Sequence, residues 1–143
     1  MQGFEKPIGT TLQLQVGDLG RARALYDALI GAEPEFQPHE DFVEYRLQGE
    51  VWLQLVVVDE VRPLTNRMRF GVTDARAMHR AAAEAGLTPG PLESLPGVVR
   101  YFNFDDPWGN HLGYYEELAA PADASVPGGS VHDDALFVVD DEG

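Results

Sequence analysis

The stretch from Val98 to Glu117, VVRYFNFDDPWGNHLGYYEE, is two β-type runs joined by a strongly marked turn. Tyr101, Phe102 and Phe104 are aromatic strand formers, and Leu112 to Tyr115 resumes a strand after Asp105-Asp106-Pro107-Trp108-Gly109-Asn110. Asp106-Pro107 favours turn initiation, and Gly109 and Asn110 are residue types that tolerate positive φ. Taken alone, this is a hairpin holding two strands in register. Its place in the chain gives it further meaning.

Upstream, the same order of elements occurs twice. Thr10 to Val16 alternates, with Leu12, Leu14 and Val16 on one face and Thr11, Gln13 and Gln15 on the other. Asp18 is placed to cap a helix in which Leu19, Ala22, Leu25, Tyr26, Leu29 and Ile30 recur at helical spacing, and Gly31 closes it. Strand-like runs follow at Glu35–Gln37, Phe42–Leu47 and Val51–Val58, and a linker is read from Asp59 to Asn66. The order then restarts. Arg67 to Val72 alternates, Thr73 or Asp74 caps a helix over Ala75–Ala85, Gly86 closes it, and the aromatic hairpin completes the second half. Each half is a strand, a helix and about three strands, an internal repeat clear in order and weak in identity. The repeat spans residues 1–118, with units about 9–60 and 66–118. Residues 119–143 read as an acidic linker and tail, in which Ala135 to Val139 would form one more edge strand or stay unstructured.

Composition narrows the possibilities. A chain of 143 residues with 44% hydrophobic and 24% charged residues fits one globular domain. No apolar run reaches membrane-spanning length, and Met1 to Gly9 has no signal-peptide pattern. With zero cysteines, disulfides and thiolate sites are excluded and a cytoplasmic location is expected. A formal charge of −14 argues against nucleic acid and anionic membranes as partners. Against that background, Arg67 and Arg69 on one strand stand out.

Two βαβββ units, with VGDLGRARALYDALIGAEPEF in the first and DDPWGN in the second, resemble the vicinal oxygen chelate superfamily of glyoxalases, bleomycin-resistance proteins and extradiol dioxygenases. The resemblance covers about Thr10 to Glu117. It implies an α+β fold of curved mixed sheets enclosing a cavity, and a homodimer as the expected assembly. It also implies a divalent metal held at four strand positions, which fall on Thr11, Gln54, Arg67 and Gly113. Thr11 stands seven residues before Asp18, Arg67 seven before Asp74, and Gly113 three after Asn110. Only Gln54 is a reasonable donor, and a permanent cation at Arg67 opposes a metal ion. The expectation is that the metal is absent and that no cofactor replaces it.

The four histidines offer no alternative: His39 falls in an apparent loop, His79 in a helix, His111 after the turn and His132 in the tail, without metal-motif spacing. If the leucine faces meet the helices, the opposite faces carry Thr11, Gln13, Gln15, Trp52, Gln54, Arg67, Arg69, His111, Gly113 and Tyr115. Such a polar and aromatic wall suits a small organic ligand, and the arginines suit an anionic one. Arginines that simply pair with nearby acids are the plainer alternative. Trp108 either lids the pocket or covers the core edge. Tyr101 and Asn103 share a face that sequence alone does not assign. The leading expectation is a metal-free binding protein similar to the bleomycin-resistance branch, without catalytic residues. The alternatives are a glyoxalase- or dioxygenase-like enzyme, metal-dependent or using Arg67 with His111 or Tyr115, and a scaffold whose interior is self-filled.

Overall fold

The structure, a computed structural model, describes residues 3–118, which form two compact units dividing between Leu64 and Thr65. The first contains β1 (Thr10–Val16), α1 (Leu19–Ile30), β2 (Phe36–His39), β3 (Phe42–Gln48) and β4 (Val51–Val57). The second contains β5 (Arg67–Gly71), α2 (Ala75–Glu84), β6 (Glu93–Leu95), β7 (Val99–Asp105) and β8 (His111–Glu117). Each unit is one open four-stranded mixed sheet, ordered β1-β4-β3-β2 and β5-β8-β7-β6. In both, the first strand runs parallel to the last and the other pairings are antiparallel. The expected α+β repeat of two βαβββ units is the architecture found.

Period-2 patterning decides which sheet face meets the helix. In the first unit Leu14, Val16, Val43, Tyr45, Leu53 and Leu55 are buried together with Ala22 and Tyr26 of α1. Burying each large aliphatic side chain stabilises the unit by roughly 1.5–3 kcal/mol. Leu12 has the same parity but is 37% exposed, so the strand's first half extends beyond the core. The Tyr45 hydroxyl donates to Asp27 Oδ1 at 2.6 Å, and Arg23 Nη2 donates to Asp27 Oδ2 at 2.8 Å, tying β3 to α1. Burial, and then the bond to Asp27, push the Tyr45 phenol well above its ordinary range. Asp18 caps α1 by accepting from Arg21 N at 2.8 Å, and Gly31 ends it at φ +76°.

In the second unit the helix-side layer is aromatic. Phe102, Phe104, Leu112 and Tyr114 are buried, with Tyr114 5.6 Å from Phe102, 5.8 Å from Phe104 and 5.6 Å from Phe70 between ring centres. His79 of α2 meets Phe102 edge-on at 4.9 Å, and its Nε2 bonds the Gly90 carbonyl at 2.9 Å. That is a packing role. Asp74 caps α2 by accepting from Ala77 N at 3.0 Å, resolving the choice between Thr73 and Asp74.

Several sequence readings need correction. His39 is not in a loop but ends β2, an edge strand where Pro38 removes no ladder bond the sheet needs. The three-residue strand β6, exposed throughout, has no alternating pattern to announce it. In the Asp106–Asn110 turn only Gly109 takes positive φ, at +92°. Asn110 serves instead through its side chain: it is fully buried and donates Nδ2–H to Asp106 Oδ2 at 2.8 Å. Asp106 Oδ1 also accepts from Trp108 N and Asn110 N, both at 2.9 Å. The tail, with His132 and the strand expected over Ala135–Val139, lies outside the described residues.

Candidate functional site

Strand register places the candidate residues in rows on the helix-free face of each sheet. In the first unit β1 and β4 pair Thr11 with Trp52 and Gln13 with Gln54, and β3 adds Arg46 to the first row and Glu44 to the second. The second row is a hydrogen-bonded ladder. Gln13 Nε2 donates to Gln54 Oε1 at 3.1 Å, and Gln54 Nε2 donates to Glu44 Oε2 at 2.8 Å. Above Trp52 lies the Arg46 guanidinium, 4.4 Å from the ring centre, with Phe36 5.5 Å away. Thr11 is exposed and Gln15 accepts from Arg62 N at 2.7 Å, pinning the linker to β1.

In the second unit the corresponding rows are Arg67–His111–Asp105, Arg69–Gly113–Asn103 and Gly71–Tyr115–Tyr101. Tyr101 and Asn103 are thereby assigned to the helix-free face. Their rows carry most of the unit's chemistry. Arg67 Nη1 donates to the Leu112 carbonyl at 2.7 Å. Arg69 Nε donates to Asn103 Oδ1 at 3.1 Å, and its guanidinium carbon sits 5.3 Å from the Tyr101 ring centre. His111 Nδ1 is 2.8 Å from Asp105 Oδ1. Val99 and Tyr101, with Val98 and Tyr115 packed against them, form a small apolar cluster on this face. Burial, then the Glu117 charge, raises the Tyr115 phenol's pKa.

Gly113 explains how Arg69 crosses the sheet. A Cβ on Gly113 would lie 2.7 Å from the Phe102 carbonyl oxygen, 3.0 Å from Asn103 Oδ1 and 3.1 Å from Arg69 Cγ. The space a side chain at 113 would enter is taken up by the Arg69 stem and the Asn103 amide. Tyr115 lies over Gly71 in the same manner, with its hydroxyl 2.7 Å from a Cβ there.

The four positions implied as metal ligands fall, in each unit, on one face of the parallel strand pair: Thr11 with Gln54, and Arg67 with Gly113. Their chemistry does not fit a divalent ion. Gln54 Oε1 already accepts from Gln13, Arg67 is a cation, and Gly113 has neither a donor nor room for one.

Trp108 is half-buried in the turn, where its amide bonds Asp106. A cleft of about 530 Å³ lies at the end of β5 remote from Arg67, lined by Gly71, Val72, Thr73, Tyr115, Glu116 and Glu117. Glu116 there accepts from Ala75 N at 2.9 Å and Arg100 Nη1 at 3.3 Å, so one of its two acids serves the helix end. Its acidic lining has the wrong sign for an anion, and of the sequence-derived candidates only Tyr115 borders it.

Sequence reasoning passed over Glu44 and Asp105. Glu44 alternates with Val43 and Tyr45, so period 2 alone places it beside Gln54. Asp105 becomes visible only once the turn length fixes His111 as its partner.

Two βαβββ units with the same order of elements, each with a helix on one sheet face and a polar row on the other, define the fold class. The chain belongs to the glyoxalase/bleomycin resistance protein family of the vicinal oxygen chelate superfamily. It is 30% identical to a glyoxalase/bleomycin resistance protein from Catenulispora acidiphila DSM 44928, over 77% of this chain and 98% of that one, at a TM-score of 0.63. A superfamily member from Sphaerobacter thermophilus DSM 20745 shares the fold at 23% identity, 78% and 98% coverage and a TM-score of 0.62. The fosfomycin resistance protein FosX from Mesorhizobium loti shares it at 16% identity, 85% and 98% coverage and a TM-score of 0.60. No protein-family model and no curated protein matches the chain. No helix among the described residues is long and apolar enough to cross a membrane.

Proposed function

We propose that this protein has lost the superfamily's metal site and binds a small anionic organic molecule on the helix-free face of its second unit. The observation that carries the reading is the Arg69 side chain laid across Gly113, with Arg67 in the neighbouring row. Two superfamily ligand positions are thus given to a guanidinium and to the gap that admits a second one. The Leu112 carbonyl and the Asn103 amide oxygen, both neutral acceptors, help to orient the two guanidinium groups. The buried Tyr101 and the partly buried Tyr115 pack beside them. Thr11, Gln13, Trp52 and Gln54 are proposed as contacts on the first unit's own face, and a homodimer as the working assembly.

The test is a thermal-shift screen of carboxylates and cationic antibiotics against metal-stripped protein. A ligand that binds only the folded protein raises its stability by about 2.7 kcal/mol at a hundredfold excess over Kd. Carboxylates that raise the melting temperature, with Arg67→Ala reducing the shift, support the reading. A response confined to cationic compounds refutes it.

A further inference from the structure

We infer that the helix-free face of the first unit is a second, separate site, which takes a planar organic cation carrying N–H donors, an amidinium or guanidinium compound. The inference goes beyond the anion site of the second unit and stands without it. Its starting point is the polarity of the Gln13–Gln54–Glu44 ladder. A carboxylate only accepts hydrogen bonds, so Glu44 requires the amide nitrogen of Gln54 to point at it, at 2.8 Å. The Gln54 oxygen is thereby turned to β1, where Gln13 answers with its own nitrogen at 3.1 Å. One acid thus orients both amides, and an oxygen is left over at each end of the row. Neither Gln13 Oε1 nor Glu44 Oε1 receives a hydrogen bond from a described residue. Such a row suits a ligand that donates.

The adjacent row supplies the surface on which that ligand rests. Trp52 already carries a planar cation: the Arg46 guanidinium lies 4.4 Å from its ring centre, and the Phe36 ring is 5.5 Å away. Arg46 is held there loosely. Its other partners are the Gly49 carbonyl at 2.7 Å, Glu50 at 3.5 Å and Glu35 at 3.6 Å. The side chains of Arg46, Glu35 and Glu50 are 39%, 49% and 64% exposed. Ion pairs this open are weak, and so is a cation–π contact at the surface. Arg46 is therefore a resident stand-in. It shows which chemistry the ring accepts, and an external cation of the same shape can take its place. With Glu35, Glu44 and Glu50 set against the one guanidinium, the neighbourhood stays net negative. The Arg46–Trp52 row and the Glu44–Gln54 row are successive rows of one face. Such rows lie roughly 7 Å apart along a strand, so a cation the size of benzamidine reaches from Glu44 to the Trp52 ring.

The test is calorimetric titration of the full chain with benzamidine, with its neutral isostere benzamide, and with tetramethylammonium, a cation that has no N–H donor. Benzamidine should bind, and the other two should bind about tenfold more weakly or worse, the equivalent of one charge-assisted hydrogen bond. Glu44→Gln should weaken benzamidine by about the same factor. Arg46→Met should tighten it roughly two- to fivefold, because the Trp52 face is vacated and a like charge removed. Structural damage would weaken binding instead, so the sign of that change carries the test. Benzamidine should also quench Trp52 fluorescence in a Trp108→Phe background. The inference is overturned if benzamidine binds neither the wild type nor Arg46→Met, or if tetramethylammonium binds as well as benzamidine. It is equally overturned if Glu44→Gln leaves the affinity unmoved, or if Arg46→Met fails to raise it. Carboxylate binding to the second unit is read separately through Arg67→Ala, so either site can fail without the other.

Discussion

Replacing Asp106 tests whether the turn that carries the family resemblance also holds the second sheet together. Its carboxylate, 4% exposed, accepts at least three hydrogen bonds, from Trp108 N, Asn110 N and Asn110 Nδ2. A bond to a charged acceptor contributes roughly 1.5–3 kcal/mol, and a buried donor left unpaired costs ~1–3 kcal/mol. Asn110 is fully buried, so in Asp106→Ala two of its donors lose this acceptor where water cannot easily replace it. The half-buried Trp108 amide is partly compensated by solvent. Allowing for non-additivity among neighbours, Asp106→Ala should cost about 3–5 kcal/mol. Asp106→Asn keeps an oxygen for the two backbone amides but turns an NH2 towards Asn110 Nδ2, donor against donor, and should cost less, about 1–3 kcal/mol. Urea unfolding followed by Trp108 fluorescence in a Trp52→Phe background reports on the second unit, since the chain has 2 tryptophans. With a urea slope near ~1 kcal/mol per molar for so small a unit, the alanine midpoint should fall by ~3 M or more. A loss under ~1 kcal/mol for Asp106→Ala would refute the reasoning, as would equal losses for the two variants.

Other outcomes follow from the same geometry. Gly113→Ala should destabilise the second unit by ~1–3 kcal/mol, because the new Cβ meets the Phe102 backbone carbonyl. Gly71→Ala should cost less, because its neighbours are side-chain atoms of Tyr115 rather than backbone; the two variants' urea midpoints compare them. Burial pushes the Tyr114 phenol up to about 12 from an ordinary value of 10.0. The folded state then holds its proton more tightly, so this contribution is intact below pH ~10 and is lost as pH rises through ~12. Tyr114→Phe should therefore reduce the alkaline fall in stability, as read by urea midpoints between those pH values. Tyr45→Phe removes the donor to Asp27 and should cost the first unit about 1–2 kcal/mol, measured through Trp52 fluorescence in a Trp108→Phe background.

Much of the fold was legible because local signals agreed with the global arrangement. Asp18 and Asp74 both cap helices, Gly31 and Gly86 both follow them with positive φ, and β1 begins and ends at the residues its alternation picks out. Legibility failed where signals were short or non-local. The edge strands β2 and β6 are exposed on every residue, so no apolar alternation marks their ends. The helix-free faces were correctly populated by parity, yet parity cannot say what a side chain touches. That Arg69 reaches Asn103 across Gly113 depends on a glycine three strands further along the chain, and only register reveals it. Likewise His111 read alone was a turn histidine, and it gains chemical meaning from Asp105 opposite and Arg67 beside it.

The most direct test of the central claim is calorimetric titration of a carboxylate hit into the protein with EDTA present, beside the same titration into Arg67→Ala. The account predicts that the wild-type affinity is the same with and without chelator, and that Arg67→Ala weakens it by ~10- to 100-fold, the equivalent of one charge-assisted hydrogen bond. Binding that disappears in EDTA and returns with zinc, nickel, manganese or iron would contradict it, and would restore a metal to the site from which Arg67 and Gly113 are argued to exclude it.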